Sequence, residues 1–216
     1  MIFSGRLYNS ELLHASRPSI LMRSTTPQSD DMPLSTLVLE CANLTAVVRL
    51  GPGEAAIFLP GRYIVASQQR ATPGAKYAEA GVLLWLKGDD ALLTIGDPTQ
   101  HCINNRHAAI WQDAKLSGIL FRAIGHVLSW VLTIDQSHLS FSFNDAQSQL
   151  EIAMYGAVVN KVKGRGHYSF EFNGKPFLLD ISTKNCIDSI TGEAFESSVI
   201  IYFDDNQFIG CGKTLN

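Results

Sequence analysis

Short β-rich runs recur about every 8–12 residues between positions 35 and 104, and this spacing is the feature that most restricts how the chain can fold. The runs read STLVLECA, LTAVVRL, AAIFLPG, YIVASQQ, VLLWLK and ALLTIG, with GPGE, LPGR, TPGA, KGDD and GDPT as turn signals. Glycine, proline and aspartate supply the backbone angles that tight turns need. Such spacing is typical of an antiparallel barrel or sandwich.

The β pattern resumes in the C-terminal half of the chain. Its runs include ILFRAIG, WVLTID, HLSFSFN, LEIAMYGAVV, HYSFEFNG, KPFLLDIS, SSVIIYFDD and NQFIGCG. HLSFSFN and HYSFEFN alternate apolar and polar residues, as half-buried strands do. We therefore predict an all-β chain with two small antiparallel β-barrel-like domains, residues 35–104 and 117–216. Residues 105–116 are a helical or irregular connector, and residues 1–34 are a leader with a linker-like end.

Composition excludes several classes of protein. The 216 residues are 46% hydrophobic and carry a formal net charge of −3. That apolar content argues against disorder of the whole chain, and nucleic-acid binding domains are usually strongly basic. No apolar run approaches the length of a membrane span, and the N-terminus has no pattern of a signal peptide. We expect either a cytosolic protein or one whose export signal precedes this sequence.

The four cysteines favour an exported protein. Cys41 and Cys102 form an early pair, Cys186 and Cys211 a late pair, and none makes a C-x-x-C motif. Each pair encloses one predicted domain, so we predict two disulfides, which persist mainly in oxidising compartments. The alternative is four buried thiols in a cytosolic protein.

No motif of a known catalytic centre occurs in the sequence. There is no G-x-S-x-G or H-E-x-x-H, and GCGKT lacks both the first glycine of a P-loop and a following helix. The remaining titratable candidates are His101, His107, Asp180, Asp188, Asp204 and Asp205. We interpret these as exposed loop histidines and solvated turn aspartates, and predict a non-enzyme without metal or cofactor.

Four segments at and between the first two cysteines form a pattern of motifs: LVLECA, PGAKY at residues 73–77, WLKGDDA at residues 85–91 and TQHCINN. With these motifs, residues 41–102 resemble the MliC-like family of bacterial inhibitors of c-type lysozyme. The resemblance implies a small β-barrel, periplasmic or associated with the outer membrane of a Gram-negative bacterium, which binds c-type lysozyme. Membrane anchoring through an N-terminal signal outside this sequence and a homodimer are further expectations.

The same resemblance implies which residues touch lysozyme. In the family, a serine of the first motif and a lysine of the second enter the active-site cleft; Lys87 matches the lysine, and Pro73 stands where the serine would be. The implied contact set is Lys87, Pro73, Gly74, Lys76, Tyr77 and Thr72. On the residues alone, Lys87 is equally well an exposed lysine that keeps a turn soluble. Tyr77 and Trp85 are then aromatics of the barrel core or rim.

The C-terminal half resembles an uncharacterised family of bacterial envelope proteins. FRAIGHVLSWVLTI, IDSITGEAF after Cys186, and FIGCGKTL carry that resemblance, although residues 126–128 replace an Asn-Glu-Pro of the family. It implies no chemistry, and we interpret Gly125, Trp130, Gly210 and Gly212 as residues that define the fold.

The amino-acid sequence is compatible with three functions. The first is inhibition of c-type lysozyme by a lysine-bearing loop. The second is an envelope interaction or scaffold module that keeps the barrel but has lost lysozyme binding, because proline has neither a hydroxyl nor an N–H at position 73. The third is a hydrolase or small-ligand carrier, which would need a large apolar cavity in the second domain.

Overall fold

A computed structural model describes residues 35–154, 158–162 and 164–215. The predicted leader, residues 1–34, lies outside these described residues. Almost all regular structure is antiparallel β-sheet, arranged as one closed barrel and one nearly closed sheet with a disulfide in each. This confirms the predicted fold class.

The first sheet is an eight-stranded barrel in which each strand pairs with its neighbours in the chain. Its strands are β1 (Ser35–Cys41), β2 (Thr45–Gly51), β3 (Glu54–Leu59), β4 (Arg62–Gln69), β5 (Ala75–Glu79), β6 (Val82–Lys87), β7 (Asp90–Ile95) and β8 (Gln100–Asn104). Alternate residues point inward, and Leu39, Ile57, Leu84 and Leu93 are at most 1% exposed. Because successive side chains of a strand point to opposite faces, every second residue enters the barrel core.

The barrel closes at a short seam between β1 and β8. Only three pairs of residues face each other there: Leu39 with Asn104, Glu40 with Ile103, and Cys41 with Cys102. The last of these pairs is a disulfide. A covalent bond thus reinforces the short pairing of the first and last strands, which closes the barrel.

The connector forms helix α1 (Arg106–Leu116). The side chain of Asn105 caps its first turn by accepting the Ala108 N–H at 2.9 Å. On one side, the Thr36 hydroxyl of the barrel donates to Asp113 at 2.6 Å. On the other, Trp111 packs in a cluster with Phe195 and Cys211 of the C-terminal half. The helix therefore contacts both sheets.

The second sheet has nine strands in the order β12-β11-β10-β9-β19-β18-β15-β14-β13. They are β9 (Phe121–Gly125), β10 (Trp130–Ile134), β11 (His138–Phe143), β12 (Ser148–Ala153), β13 (Val158–Val162), β14 (Arg165–Phe172), β15 (Lys175–Ser182), β18 (Ser197–Phe203) and β19 (Asn206–Thr214); β16 (Cys186–Ile187) and β17 (Ala194–Phe195) form a separate pair. Large aromatics fill the concave side, among them Trp130, Phe141, Phe177 and Phe208. This interior is a packed core.

Glycines let Trp130 lie flat against neighbouring strands. A Cβ at Gly125 would overlap the Trp130 indole, and one at Gly210 would overlap the Ile124 carbonyl oxygen and crowd the same indole. A Cβ at Gly212 would come within 2.7 Å of Ala123. These close approaches support the interpretation of the three glycines and Trp130 as determinants of the fold.

The division into independent domains, 35–104 and 117–216, remains a prediction. We expect a fragment of residues 35–105 to unfold cooperatively on heating, because it contains all eight strands and the disulfide of the barrel. A fragment of residues 35–117 is the control, since it keeps the bonds from Thr36 to Asp113 and from Arg49 to Leu116. It should melt at a higher temperature. Two unfolded fragments would show that the sheets depend on each other.

Candidate functional site

The two loops that carry the sequence motifs are bonded to each other. One is the β4–β5 loop, residues 70–74, and the other is the β6–β7 hairpin around Lys87. The indole N–H of Trp85, in the strand leading to Lys87, donates to the Pro73 carbonyl at 2.9 Å. Proline lacks an N–H but keeps its carbonyl, so Pro73 can accept this bond.

Gly74 allows the first loop to lie directly on strand β6. Its φ is +87°, a left-handed angle that glycine adopts at little cost, and a Cβ there would overlap the carbonyl oxygen of Leu86. Leu86 immediately precedes Lys87 in the chain. Glycine at position 74 therefore sets the distance between the two loops.

Lys87 ends strand β6 at a tight hairpin. It pairs with Asp90 across a loop formed by Gly88 and Asp89, with Gly88 at φ +65°. The Lys87 side chain is exposed and, within the described part of the chain, its ammonium has no ion pair or side-chain hydrogen bond. Its charge is available to a partner.

Both aspartates of this hairpin are engaged elsewhere. The Asp89 carboxylate accepts from Arg106 Nε at 2.8 Å and lies 2.8 Å from Arg106 Nη2. Hydrogen bonding from Arg106 is the main cause that lowers the pKa of Asp89, so this carboxylate stays ionised. Asp90 lies 3.2 Å from His101 Nε2. The two carboxylates of the hairpin therefore contact Arg106 and His101.

A hollow of about 330 Å³ opens beside Lys87. Trp85, Leu92 and His101 contribute to its lining. Leu92 is 36% exposed, and Ile103 on the adjacent strand β8 is 57% exposed. The lysine therefore stands at the edge of a partly apolar surface.

The other predicted contact residues divide into surface and core. Thr72, Pro73 and Gly74 are exposed, and Lys76 is partly buried. Tyr77 is 5% exposed and packs inside the barrel, so it shapes the β5 strand and offers little surface to a partner. The structure brings the two loops together, but it places the Tyr77 side chain in the barrel core.

Sequence reasoning missed Arg106 as part of this site. It is the first residue of α1 and reaches back 17 positions to Asp89. No local pattern marks such a contact, because it depends on how the helix packs against the barrel. The sequence of the hairpin alone shows one lysine beside two aspartates.

The remaining titratable candidates do not assemble into a metal site in the residues the structure describes. His107 lies 3.5 Å from Glu193, and His101 pairs with Asp90 as stated. Asp188 differs from the expectation of a solvated turn residue, because it is only 4% exposed. It accepts a hydrogen bond from the Thr191 N–H at 2.7 Å and lies 2.7 Å from His126 Nε2.

Acid should destabilise the protein through Asp188. Burial raises its pKa, but hydrogen bonds from the Thr191 backbone and hydroxyl and from His126 outweigh this and lower the pKa to about 2. An unfolded aspartate titrates near pH 4, so the stabilisation is complete above about pH 4 and is lost as the pH falls to about 2. It should amount to about 2 kcal/mol.

Denaturant unfolding of wild type and Asp188→Asn between pH 5 and pH 2 tests this expectation. The variant should lose less stability on acidification than the wild type. Asp145→Asn, at an exposed turn, is the matched control and should keep the wild-type profile. Equal profiles for wild type and Asp188→Asn would contradict the assignment.

No helix among the described residues has the length and apolarity needed to cross a bilayer. Comparison with known proteins adds one positive result. Residues 40–100 match a protein family, MliC, described as "Membrane-bound lysozyme-inhibitor of c-type lysozyme". No curated protein and no solved structure matches the chain.

The matched segment begins near the end of β1 and stops at the first residue of β8, so it contains both bonded loops and leaves the second sheet outside. It covers less than a third of the chain. The part of the first barrel between residues 40 and 100 is therefore similar in sequence to the MliC family of membrane-bound inhibitors of c-type lysozyme.

Proposed function

We propose that this protein inhibits c-type lysozyme by inserting the Lys87 hairpin into the active-site cleft. The proposal rests on Lys87, which lies within the family-matched segment and whose exposed ammonium has no ion pair or side-chain hydrogen bond to any residue that the structure describes. The family match supports inhibition of c-type lysozyme, and the role of the hairpin is our inference.

The catalytic groups of lysozyme are of a kind that a lysine side chain can bind. The enzyme uses two carboxyl groups, one held in an apolar pocket with a raised pKa. An ammonium placed between them forms charge-assisted hydrogen bonds, which are stronger than neutral ones. Inside a cleft that excludes water, such bonds are also less screened.

The contacts around the hairpin support rapid, tight binding, because they order it before the partner arrives. Trp85 is bonded to Pro73, Gly74 packs against Leu86, and Arg106 holds Asp89. A loop that is already ordered loses less conformational entropy on binding. Asp89 and Asp90 contact Arg106 and His101 and form no ion pair with Lys87. The Lys87 ammonium can therefore bond to the carboxyl groups of lysozyme.

The disulfides support a location in the cell envelope. Both bridges are the predicted ones, and such bonds persist in oxidising compartments such as the periplasm. We therefore propose a periplasmic or outer-membrane-associated protein of a Gram-negative bacterium. Membrane anchoring and homodimerisation remain predictions.

The second candidate is a scaffold module that has lost lysozyme binding. Pro73 is the one residue that favours it. This residue has no hydroxyl, and its carbonyl already accepts the Trp85 indole N–H. It therefore presents no hydrogen-bond donor to a carboxyl group. The carrier function has less support, since aromatic side chains fill the interior of the second sheet.

An assay of c-, g- and i-type lysozymes with increasing amounts of the purified protein separates the first two candidates. Inhibition of the c-type enzyme alone is the expected result. No inhibition of any of the three at micromolar concentration would favour the scaffold module. Binding measured by calorimetry, without inhibition, would contradict insertion into the cleft.

Pro73→Ser should strengthen inhibition. A serine keeps the carbonyl that bonds Trp85 and adds a hydroxyl that can donate to a lysozyme carboxyl, a gain of about 1 kcal/mol. The inhibition constant measures this gain. Pro52→Ser, at the exposed β2–β3 turn, is the matched control and should change nothing. Weaker inhibition by Pro73→Ser would show that the proline ring itself contacts the enzyme.

A further inference from the structure

A second cleft, of about 570 Å³, lies where the barrel, helix α1 and the second sheet meet. Thr36 of β1, Asp113 of α1, Arg122 of β9 and Thr133 of β10 are among the residues that line it. Its volume lies within the range of small-molecule sites. Thr36, Asp113, Arg122 and Thr133 lie outside the segment that matches the family, although Arg106, which holds Asp89 of the hairpin, also lines this cleft.

Arg122 is a cation without a hydrogen-bonding partner among the described residues. Its Nε is shielded from solvent and makes no hydrogen bond, and its Cζ lies 5.3 Å from the centre of the Trp111 ring. Burial lowers its pKa, and only the charge of Asp113 acts in the opposite direction. The Nη groups of this guanidinium make no hydrogen bond to the described residues, so they can donate to a ligand in the cleft.

Asp113 places the opposite charge on the same cleft. One of its oxygens accepts the Thr36 hydroxyl at 2.6 Å. Asp113 and Arg122 are close enough to influence each other, yet they form no direct ion pair within the described part of the chain. Asp113 and Arg122 therefore present opposite charges to a shared space. Arg106 also lines it, but the charge of Arg106 is paired with Asp89. The apolar part of the lining includes Leu37, Ala114 and Ile119.

We propose that this cleft binds a small amphoteric molecule, of the class of free amino acids and short peptides. The ligand's carboxylate would accept from Arg122, and its ammonium would donate to Asp113. A simple anion would be repelled by Asp113 and a simple cation by Arg122, whereas a molecule with both charges satisfies both residues. The two Nη groups of a guanidinium can donate parallel hydrogen bonds to a carboxylate.

The test uses the ¹⁵N-labelled full chain and the dipeptide alanyl-alanine as the probe. Saturable shifts are expected for the amides of Thr36, Asp113 and Arg122 and for the Trp111 indole. Two blocked analogues are titrated in parallel: N-acetyl-alanyl-alanine, which lacks the ammonium, and alanyl-alanine amide, which lacks the carboxylate. Each should bind about tenfold more weakly, since each loses one charge-assisted bond.

Variants connect each charge of the ligand to one residue. Asp113→Asn should weaken dipeptide binding about tenfold and remove the preference over the acetylated analogue. Arg122→Gln should remove the preference over the amide. Arg62→Gln, on the exposed barrel surface, is the control and should bind as wild type does.

The proposal is overturned if the dipeptide gives no saturable shifts at millimolar concentration, which would mean that the cleft holds only water. It is also overturned if the three probes bind alike. Should a variant fail to fold, the comparison of the three probes on the wild-type chain still decides the outcome. Lysozyme inhibition is measured separately, so loss of either activity leaves the other interpretable.

Discussion

Lys87→Ala is expected to weaken inhibition of c-type lysozyme by about 2–5 kcal/mol, because it removes the charge that would fill the active-site cleft. Part of this loss would come from lysozyme carboxyls that stay buried without a partner. If Lys87 only keeps the hairpin soluble, the change should stay within about 0.5 kcal/mol, as exposed substitutions usually do. The two interpretations therefore differ by more than the error of an inhibition assay.

The measurement is the inhibition constant of wild type and variant against the same enzyme. Lys184→Ala is the control, since this lysine is also exposed but belongs to the second half of the chain. It should inhibit as wild type does, and both variants should keep the wild-type melting temperature. Equal inhibition by Lys87→Ala would rule out insertion of this hairpin while leaving the family resemblance intact.

Removing the barrel disulfide should cost about 4 kcal/mol of stability. The bridge joins cysteines 61 positions apart, and the entropy of closing such a loop in the unfolded chain accounts for that magnitude. It also crosslinks β1 and β8, which pair through only three residue pairs. The double variant Cys41→Ala, Cys102→Ala should therefore open the barrel at this seam first.

Denaturant unfolding and amide hydrogen exchange test this expectation together. Exchange should increase most in β1 and β8, where the seam lies. The matched control is Cys186→Ala with Cys211→Ala, whose separation of 25 predicts a loss of about 3 kcal/mol centred on the second sheet. Unchanged exchange at the seam in the first variant would show that strand pairing alone closes the barrel.

The sequence by itself located six of the eight barrel strands, whereas β5 and β8 lie outside the predicted runs. Turn chemistry is local: KGDD places a hairpin at residues 87–90 because Gly88 adopts the positive φ that the turn requires. The alternation in HLSFSFN predicted a half-buried strand, and in β11 Leu139 and Phe141 are fully buried. The cysteines fall into an early and a late pair along the chain, which predicted the two disulfides, and the structure confirms them.

Only the tertiary structure decided the environment of the candidate site. Arg106 engages Asp89, the Trp85 indole reaches Pro73, and Asp188 is buried beside His126. These contacts join side chains 17, 12 and 62 positions apart. Propensity and periodicity describe neighbours along the chain, whereas burial and charge pairing depend on which surfaces the packed sheets bring together. For this reason the sequence indicated Lys87 as a candidate, and the packing showed that its charge is left unpaired among the described residues.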